Sequence, residues 1–321
     1  MRKYSLVIPV YNRPDEIVEL LYSLTRQTYT NFEVIVVEDG SQNKCEQEVT
    51  QFVGKLDVHY YFKENTGQGF SRNYGFSKAT GDFLLVFDSD CIIPESYLQS
   101  VEDSLSKNHF DAFGGPDLAH KDFTPVQKAI SYAMTSVLTT GGIRGQKKRV
   151  GAFHPRSFNM GISRKVWEET QGYIITRMGE DIEFSIRIME KGFKVGLISE
   201  AFVYHKRRAS FSQFYKQLHF FGRARINIYR FFSSELKPVH FFPAVFTLYI
   251  FSLPILWLIA KPIFNLVYPF LGVYLLLVFI DSFAKTKSLK LAVLSIAAVV
   301  TMLTGYGVGF LTELRREFLK F

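Results

Sequence analysis

The chain has 321 residues, 47% of them hydrophobic and 32 of them Phe, with a formal charge of +8 and two cysteines. That length allows one or two domains, and the apolar content exceeds what a soluble core of this size needs. Cys45 and Cys91 form neither a Cys-x-x-Cys pair nor a metal-ligand spacing, which excludes a disulfide framework and fits a reduced, cytoplasmic setting.

Met1-Arg2-Lys3 precedes an apolar run at 4–10 that is shorter than a signal core and interrupted by Pro9, so it reads as a first strand with no cleavable targeting signal. Runs at 6–10, 32–37, 58–62 and 83–87 read as strands. Between the first two, Ile17, Leu20, Leu21 and Leu24 recur at helical spacing, with Asn12 near the start and Pro14 in the first turn. This βαβ rhythm predicts an α/β fold, a doubly wound, mostly parallel sheet. The run 83–87, bounded by Gly81 and Pro94 and apolar on both faces, is expected as a buried parallel strand. It stops at Asp88-Ser89-Asp90, placing two acids at a strand's carboxyl end, where open α/β sheets bind ligands. If the chain stays extended, both carboxylates face one side and can hold a hard cation and the hydroxyls or phosphates of a nucleotide. The plainer alternative is a strand exit with solvated acids.

After Gly114-Gly115-Pro116 the pattern loosens, and 139–151 is polar, Gly- and Lys/Arg-rich, and reads as a mobile loop. A helix is expected from Glu180-Asp181, with Ile182, Ile186 and Met189 on one face and Gly192 past its end, followed by strands at 194–198 and 201–205. The positive charge is concentrated in 206–237, where Lys206, Arg207, Arg208, Lys216, Arg223, Arg225, Arg230 and Lys237 oppose the single acid Glu235 and interleave with aromatics. Such composition suits an interfacial helix on anionic lipid; it also occurs in nucleic-acid binders, but the adjoining apolar tail favours the membrane. Segments 241–260, 263–280 and 291–312 contain no Asp, Glu, Lys or Arg and approach the roughly 20 residues of a membrane span. Pro243, Pro254 and Pro269 bring the first two into question as straight spans. Lys285, Lys287 and Lys290 precede the third segment, and Arg315, Arg316 and Lys320 follow it, so the positive-inside rule cannot satisfy both ends. The basic stretch is expected to remain cytoplasmic. The expected domains are 1–205, a juxtamembrane segment 206–237 and a membrane domain 238–321.

Polar groups cluster where strands end: Pro9-Val10-Tyr11-Asn12, Glu38-Asp39-Gly40-Ser41 and Asp88-Ser89-Asp90. Asn65-Thr66-Gly67-Gln68-Gly69-Phe70-Ser71-Arg72-Asn73 adds glycines that permit close backbone approach and, in Arg72, a planar fork for a phosphate or a base. With Phe158-Asn159-Met160-Gly161-Ile162-Ser163-Arg164, Gly179-Glu180-Asp181-Ile182-Glu183-Phe184 and Tyr204-His205, this order and spacing resembles family-two, inverting glycosyltransferases of the GT-A fold over residues 1 to 205.

That resemblance implies roles. Pro9, Tyr11 and Asp39 would line the nucleobase pocket, with Asp39 accepting from a ring N–H; Gly67 and Ser89 would belong to the nucleotide site; Arg72 would reach the base or the diphosphate. Asp88 would bind the ribose, and Asp90 a divalent cation, Mg²⁺ or Mn²⁺, with His205 as a further ligand. Asp181 is expected as the general base, with Glu180 able to exchange roles; helix capping and first-turn acids are the ordinary alternative for both. The Gln-x-x-Arg-Trp element of the processive synthases is absent from 214–223, which favours single-sugar addition. The expected activity is transfer from a nucleotide-sugar, UDP-linked, to a lipid-linked or growing glycan acceptor at the cytoplasmic face. The competing readings are a polyprenyl-phosphate sugar synthase and a catalytically silent nucleotide-binding membrane protein.

Overall fold

The computed structural model describes residues 1–118, 120, 122–140 and 153–319. Most of the 139–151 segment expected as a loop lies outside these residues. The chain forms two compact units, Met1–His120 with Arg149–Lys206, and Lys121–Lys148 with Arg207–Phe321.

The first unit begins β1 (Tyr4–Val10), α1 (Pro14–Leu24), β2 (Phe32–Asp39), α2 (Glu46–Thr50), β3 (Val58–Lys63), α3 (Gln68–Lys78) and β4 (Phe83–Phe87). It continues through β5 (Cys91–Ile92), α4 (Tyr97–Asn108), β6 (Ala112–Gly114) and β7 (Asp117–Leu118). The chain then passes into the second unit as α5 (Pro125–Thr135) and α6 (Val137–Thr140). It returns as β8 (Asn159–Ser163), α7 (Arg164–Thr170), α8 (Glu180–Glu190), β9 (Val195–Leu197) and β10 (Val203–His205).

The main sheet runs β3-β2-β1-β4-β8-β6-β9, with β8 antiparallel to both its neighbours and the other pairs parallel. Successive side chains go to opposite faces, so Leu6, Ile8, Val34, Val36, Leu85 and Phe87 join one core with α1 and α4. Val7, Ile35, Val37, Leu84 and Val86 join the other with Phe76 of α3 and Phe184 and Ile188 of α8. Burial on both faces explains why these strands read as unbroken apolar runs rather than alternating ones. The parallel pairing Tyr4↔Phe32 through Val10↔Glu38 brings the exits of β1 and β2 side by side, and β4 flanks β1 on its other edge. A second, three-stranded sheet, β5-β10-β7, pairs His205 with Cys91 and so sets His205 beside the exit of β4.

The second unit contains α5, α6, α9 (Phe211–Phe231), α10 (Phe242–Ile259), α11 (Lys261–Thr286) and α12 (Leu289–Phe318). Three segments, Pro238–Ile259, Lys261–Thr286 and Leu289–Phe318, are long and apolar enough to cross a membrane. At 1.5 Å per residue, the shortest, of 22 residues, reaches about 33 Å, the thickness of the hydrocarbon layer. Helices α10 and α11 run on through Pro254 and Pro269.

One expectation is corrected here. Helix α5 does not belong with the first 205 residues: Ala129, Ile130 and Ala133 share a core with Phe214, Leu218, Val278, Val299 and Leu303. Within 206–237, Phe211–Phe231 forms a helix of the second unit. Helix α9 packs lengthwise on α12, Gly222 against Tyr306 and Phe310, Gly305 against Tyr215 and Leu218, and Gly309 against His219. The contacts advance together along both helices, so the two run parallel. Arg223 and Arg230 are ion-paired with Glu313, and Arg230 also with Glu317, so part of the charge assigned to lipid is satisfied within the unit.

Candidate active site

The exit of β4 is a turn rather than a continued strand, closed by the Cys91 amide donating to the Asp88 carbonyl at 3.1 Å. The condition for the two acids to share a side is therefore not met, and each has its own partners. Asp88, about one-third exposed, accepts from Arg72 Nη2 at 2.9 Å. Ser89 and Asp90 are buried. Asp90 Oδ2 accepts from Arg13 Nη1 at 2.7 Å, and its Oδ1 faces His205 Nε2 at 3.0 Å. Burial alone would raise this carboxyl; the charges of His205 and Arg13 outweigh it and hold it well below the usual carboxylate range. Phe158 stacks on the His205 ring at 5.0 Å and fixes its plane.

At the exit of β2 the buried Asp39 carboxylate accepts from Lys63 Nζ at 2.7 Å and from the Thr66 and Gly67 amides at 2.9 Å each. Burial opposes ionisation, but these donors dominate and hold its pKa below the ordinary aspartate value. Pro9 and Tyr11 lie at the adjacent exit of β1, Pro9 opposite Val37 and Tyr11 half-exposed. Beneath them Glu38, fully buried, accepts from the Ser41 hydroxyl, the Cys45 amide at 2.7 Å and the Tyr60 hydroxyl at 3.3 Å. Ser41 Oγ in turn accepts from the Asn12 amide at 2.7 Å, and Asn12 Oδ1 takes the amides of Gln42 and Asn43. One network, running from buried Glu38 to exposed Asn12, thus ties the two loops that would face the nucleobase.

Gly67 has φ +90°, and a Cβ there would overlap the Thr176 hydroxyl; one on Gly69 would come within 2.6 Å of the Ile175 carbonyl. The close approach these glycines were expected to give a ligand is given to the segment leading into α8. Arg72 also departs from expectation. It lies on the early part of α3, but its guanidinium is 1% exposed, sandwiched between Asp88 and Glu180 and set over the Tyr173 ring at 5.4 Å.

The two acids opening α8 differ in setting. Glu180 is buried and accepts from Gln68 Nε2 and, at 3.2 Å, from Arg72 Nη1. Burial first, and then the Asp181 charge, push its carboxyl up against the opposing pull of Arg72. Asp181 is partly open, with Arg156 Nη1 3.3 Å from Oδ2 and the Ile182 amide donating to Oδ1.

Ligand atoms of Asp90, Cys91 and His205 lie within 4.8 Å of one another. The Cys91 thiol is pushed far up by burial and then by the Asp90 charge, so it stays protonated and is a poor ligand. With a cation in place of the proton on His205 Nε2, Asp90 Oδ1 and that nitrogen, 3.0 Å apart, would offer one oxygen and one imidazole nitrogen on a single side, a donor set that fits Mg²⁺ or, with its nitrogen, Mn²⁺.

Arg13, Lys63 and Arg156 were not singled out from the sequence, while Glu38 and Gln68 stood inside the quoted motifs without a role of their own. Only Arg13 carried a signal, a cation inside the loop that follows β1.

The family model for glycosyl transferase family 2 matches residues 5–185. The poly(ribitol-phosphate) β-N-acetylglucosaminyltransferase TarS of Staphylococcus aureus is 36% identical over 115 residues, 35% of this chain and 20% of that protein. An uncharacterised glycosyltransferase of Haemophilus influenzae is 29% identical over 220 residues, 65% of this chain and 70% of its own. The chain's match spans only 16% of a Rickettsia bellii glycosyltransferase. Among solved structures, the Pyrobaculum calidifontis mannosyltransferase PcManGT with GDP-Man and Mn²⁺ superposes with TM-score 0.59 at 17% identity, covering 98% of this chain and 88% of that one. Residues 1–349 of TarS with UDP-GlcNAc give TM-score 0.50 at 20% identity, covering 98% and 92%. With the strand-end acids, the Asn65 to Asn73 segment and the Glu180-Asp181 pair all falling inside the matched region, the chain belongs to glycosyl transferase family 2.

Proposed function

We propose that the protein is a membrane-attached, inverting glycosyltransferase that moves a sugar from a UDP-linked donor to a lipid-linked or growing glycan acceptor, adding one sugar at a time, with its first unit at the cytoplasmic face. The observation that carries this reading is the contrast between the two acids opening α8. Glu180 is buried and held by Gln68 and Arg72, whereas Asp181 keeps a partly open carboxylate. A partly open carboxylate can take the proton of an acceptor hydroxyl as it attacks the anomeric carbon from the face opposite the leaving diphosphate. Asp181 is therefore the general base of the proposal.

On the donor side, Pro9, Tyr11 and Asp39 receive the base and Asp88 the ribose. Asp90 and His205 would hold a divalent cation, which when bound supplies the positive charge that stabilises the leaving nucleoside diphosphate. Arg13 keeps Asp90 ionised and fixed, and the Phe158 ring orients His205. TarS supports a UDP-linked donor and a role in cell-surface polymer synthesis, since its solved complex carries UDP-GlcNAc and its acceptor is poly(ribitol-phosphate). The membrane reading rests on α10 and α11, which leave Leu248, Phe251, Leu258, Leu266 and Phe270 exposed, surface that lipid tails would cover.

The test is to incubate the membrane-embedded protein with labelled UDP- and GDP-sugars and a lipid extract, and to identify the labelled product. A glycoside on a lipid-linked glycan is expected. A sugar joined through a monophosphate identifies a polyprenyl-phosphate synthase instead, and no transfer from any donor leaves a nucleotide-binding protein without activity.

A further inference from the structure

Between α3 and the approach to α8 lies a dense set of contacts that the roles assigned above leave unexplained. The Gly69 amide donates to the Thr176 carbonyl at 3.1 Å, the Thr176 hydroxyl to the Thr66 carbonyl at 2.7 Å, and Arg177 Nη2 to Asn65 Oδ1 at 3.1 Å. Asn73 and the Tyr173 backbone exchange two bonds of 2.8 Å. At the centre is Arg72. One terminal nitrogen holds Asp88 at 2.9 Å, the other Glu180 at 3.2 Å, and Nε, without a partner among the described residues, is sealed from solvent.

We infer that Arg72 is a positioning residue that locks the first turn of α8, and with it Asp181, to the exit of β4 through Glu180 and Asp88, and that it does not itself hold the donor diphosphate. The inference rests on the reading of Asp181 as the base. A guanidinium suits this better than an ammonium: its planar fork fixes the directions of Nη1 and Nη2, one for each carboxylate, whereas an ammonium is a point charge on a flexible stem. Both ends of the bridge are anchored in regular structure, since Asp88 directly follows β4 and Glu180 is the first residue of α8. Gln68 supplies the second bond to Glu180 from one turn before Arg72 on the same face of α3, so two donors converge on one oxygen of the buried carboxylate. Attack geometry tolerates little error, and misplacement by about 1 Å costs roughly 100-fold. A bridge that sets the distance between the ribose-binding acid and the base therefore acts on turnover rather than on donor affinity.

The experiment measures transfer from UDP-GlcNAc in the lipid-extract assay, and UDP affinity by calorimetry, for the full-length parent and for Arg72→Gln, Glu180→Gln and their double variant. Each single change is expected to lower kcat about 10-fold or more and to change the UDP Kd less than about 3-fold, with the double variant no worse than the poorer single one. Losses that multiply overturn the inference, as does a 10-fold weaker UDP Kd in Arg72→Gln with kcat kept. Because removing a buried cation can unfold the unit, two gentler changes accompany these. Gln68→Ala, on an exposed residue, is expected to reduce kcat several-fold at constant Kd, and Arg72→Lys to remain poor in kcat while binding UDP normally; full turnover in either overturns the bridge. A parent inert with UDP-GlcNAc and every other nucleotide-sugar refutes the functional reading itself, whereas an active parent with multiplying losses refutes only the bridge.

Discussion

The two units of this chain hold themselves together by opposite means. In the first, the residues that matter are carboxylates at strand ends and at the start of α8, each fixed by a cation or by amides: Asp39 by Lys63, Asp88 and Glu180 by Arg72, Asp90 by Arg13. In the second, α12 meets its neighbours through glycines, with Gly305 and Gly309 turned to α9 and Gly307 turned to Pro243 and Thr247 of α10. On the proposal that the second unit lies in a membrane, the difference follows from the medium. Beside water, an apolar core is driven together by the hydrophobic effect, and the site can then carry buried charge provided that it is paired. Among lipid tails that driving force is missing, and close backbone approach through small residues supplies the attraction.

The comparison can be broken first on the charged side. Asp90→Ala removes the carboxylate proposed as a direct cation ligand and leaves Arg13 with Glu16 alone, so its effect should exceed the roughly 10- to 100-fold loss typical of residues that only support a ligand. A metal titration of the variant checks this, and parent-like turnover in chelator for both proteins removes the cation from the proposal. On the apolar side, Gly309→Leu forces a side chain against the His219 backbone and should destabilise the helical unit by about 1–3 kcal/mol. The measurement is thermal unfolding in detergent micelles, and an unchanged melting temperature contradicts the packing described. The smallest expected effect concerns Asp39. Its carboxyl is held below the ordinary value of about 3.9, so its stabilisation is present above that pH and is lost as pH falls towards the folded value. The stability difference between the parent and Asp39→Asn should therefore shrink between about pH 5 and pH 2 in melts of both proteins; a constant difference would mean that the Lys63 pair contributes nothing ionic.

What the sequence disclosed has the same division. Strands β1 to β4 and the acids at their ends could be read because apolar runs and the residues that stop them are local. The partners of those acids could not. Arg13 meets Asp90 across 77 positions and Arg72 meets Glu180 across 108, and no local pattern encodes such pairs. Arg72 was read as a donor ligand because a fork on an early helical turn suits a phosphate equally well. In the apolar tail, absence of charge identified the three segments, but it also hid Gly305, Gly307 and Gly309, whose spacing divides them between two faces of one helix. The placement of α5 was missed for a related reason: this helix carries an ordinary amphipathic pattern, which indicates that it packs without indicating on what.

The central claim is that glycosyl transfer occurs at these strand ends with Asp181 as the base. Its most direct test compares UDP affinity and turnover in the parent and in Asp181→Asn, a change that keeps size and one acceptor oxygen while removing basicity. The account predicts an unaltered Kd and a fall in kcat of about 10²- to 10⁴-fold; turnover equal to the parent's at equal affinity would contradict it and move the base to another group.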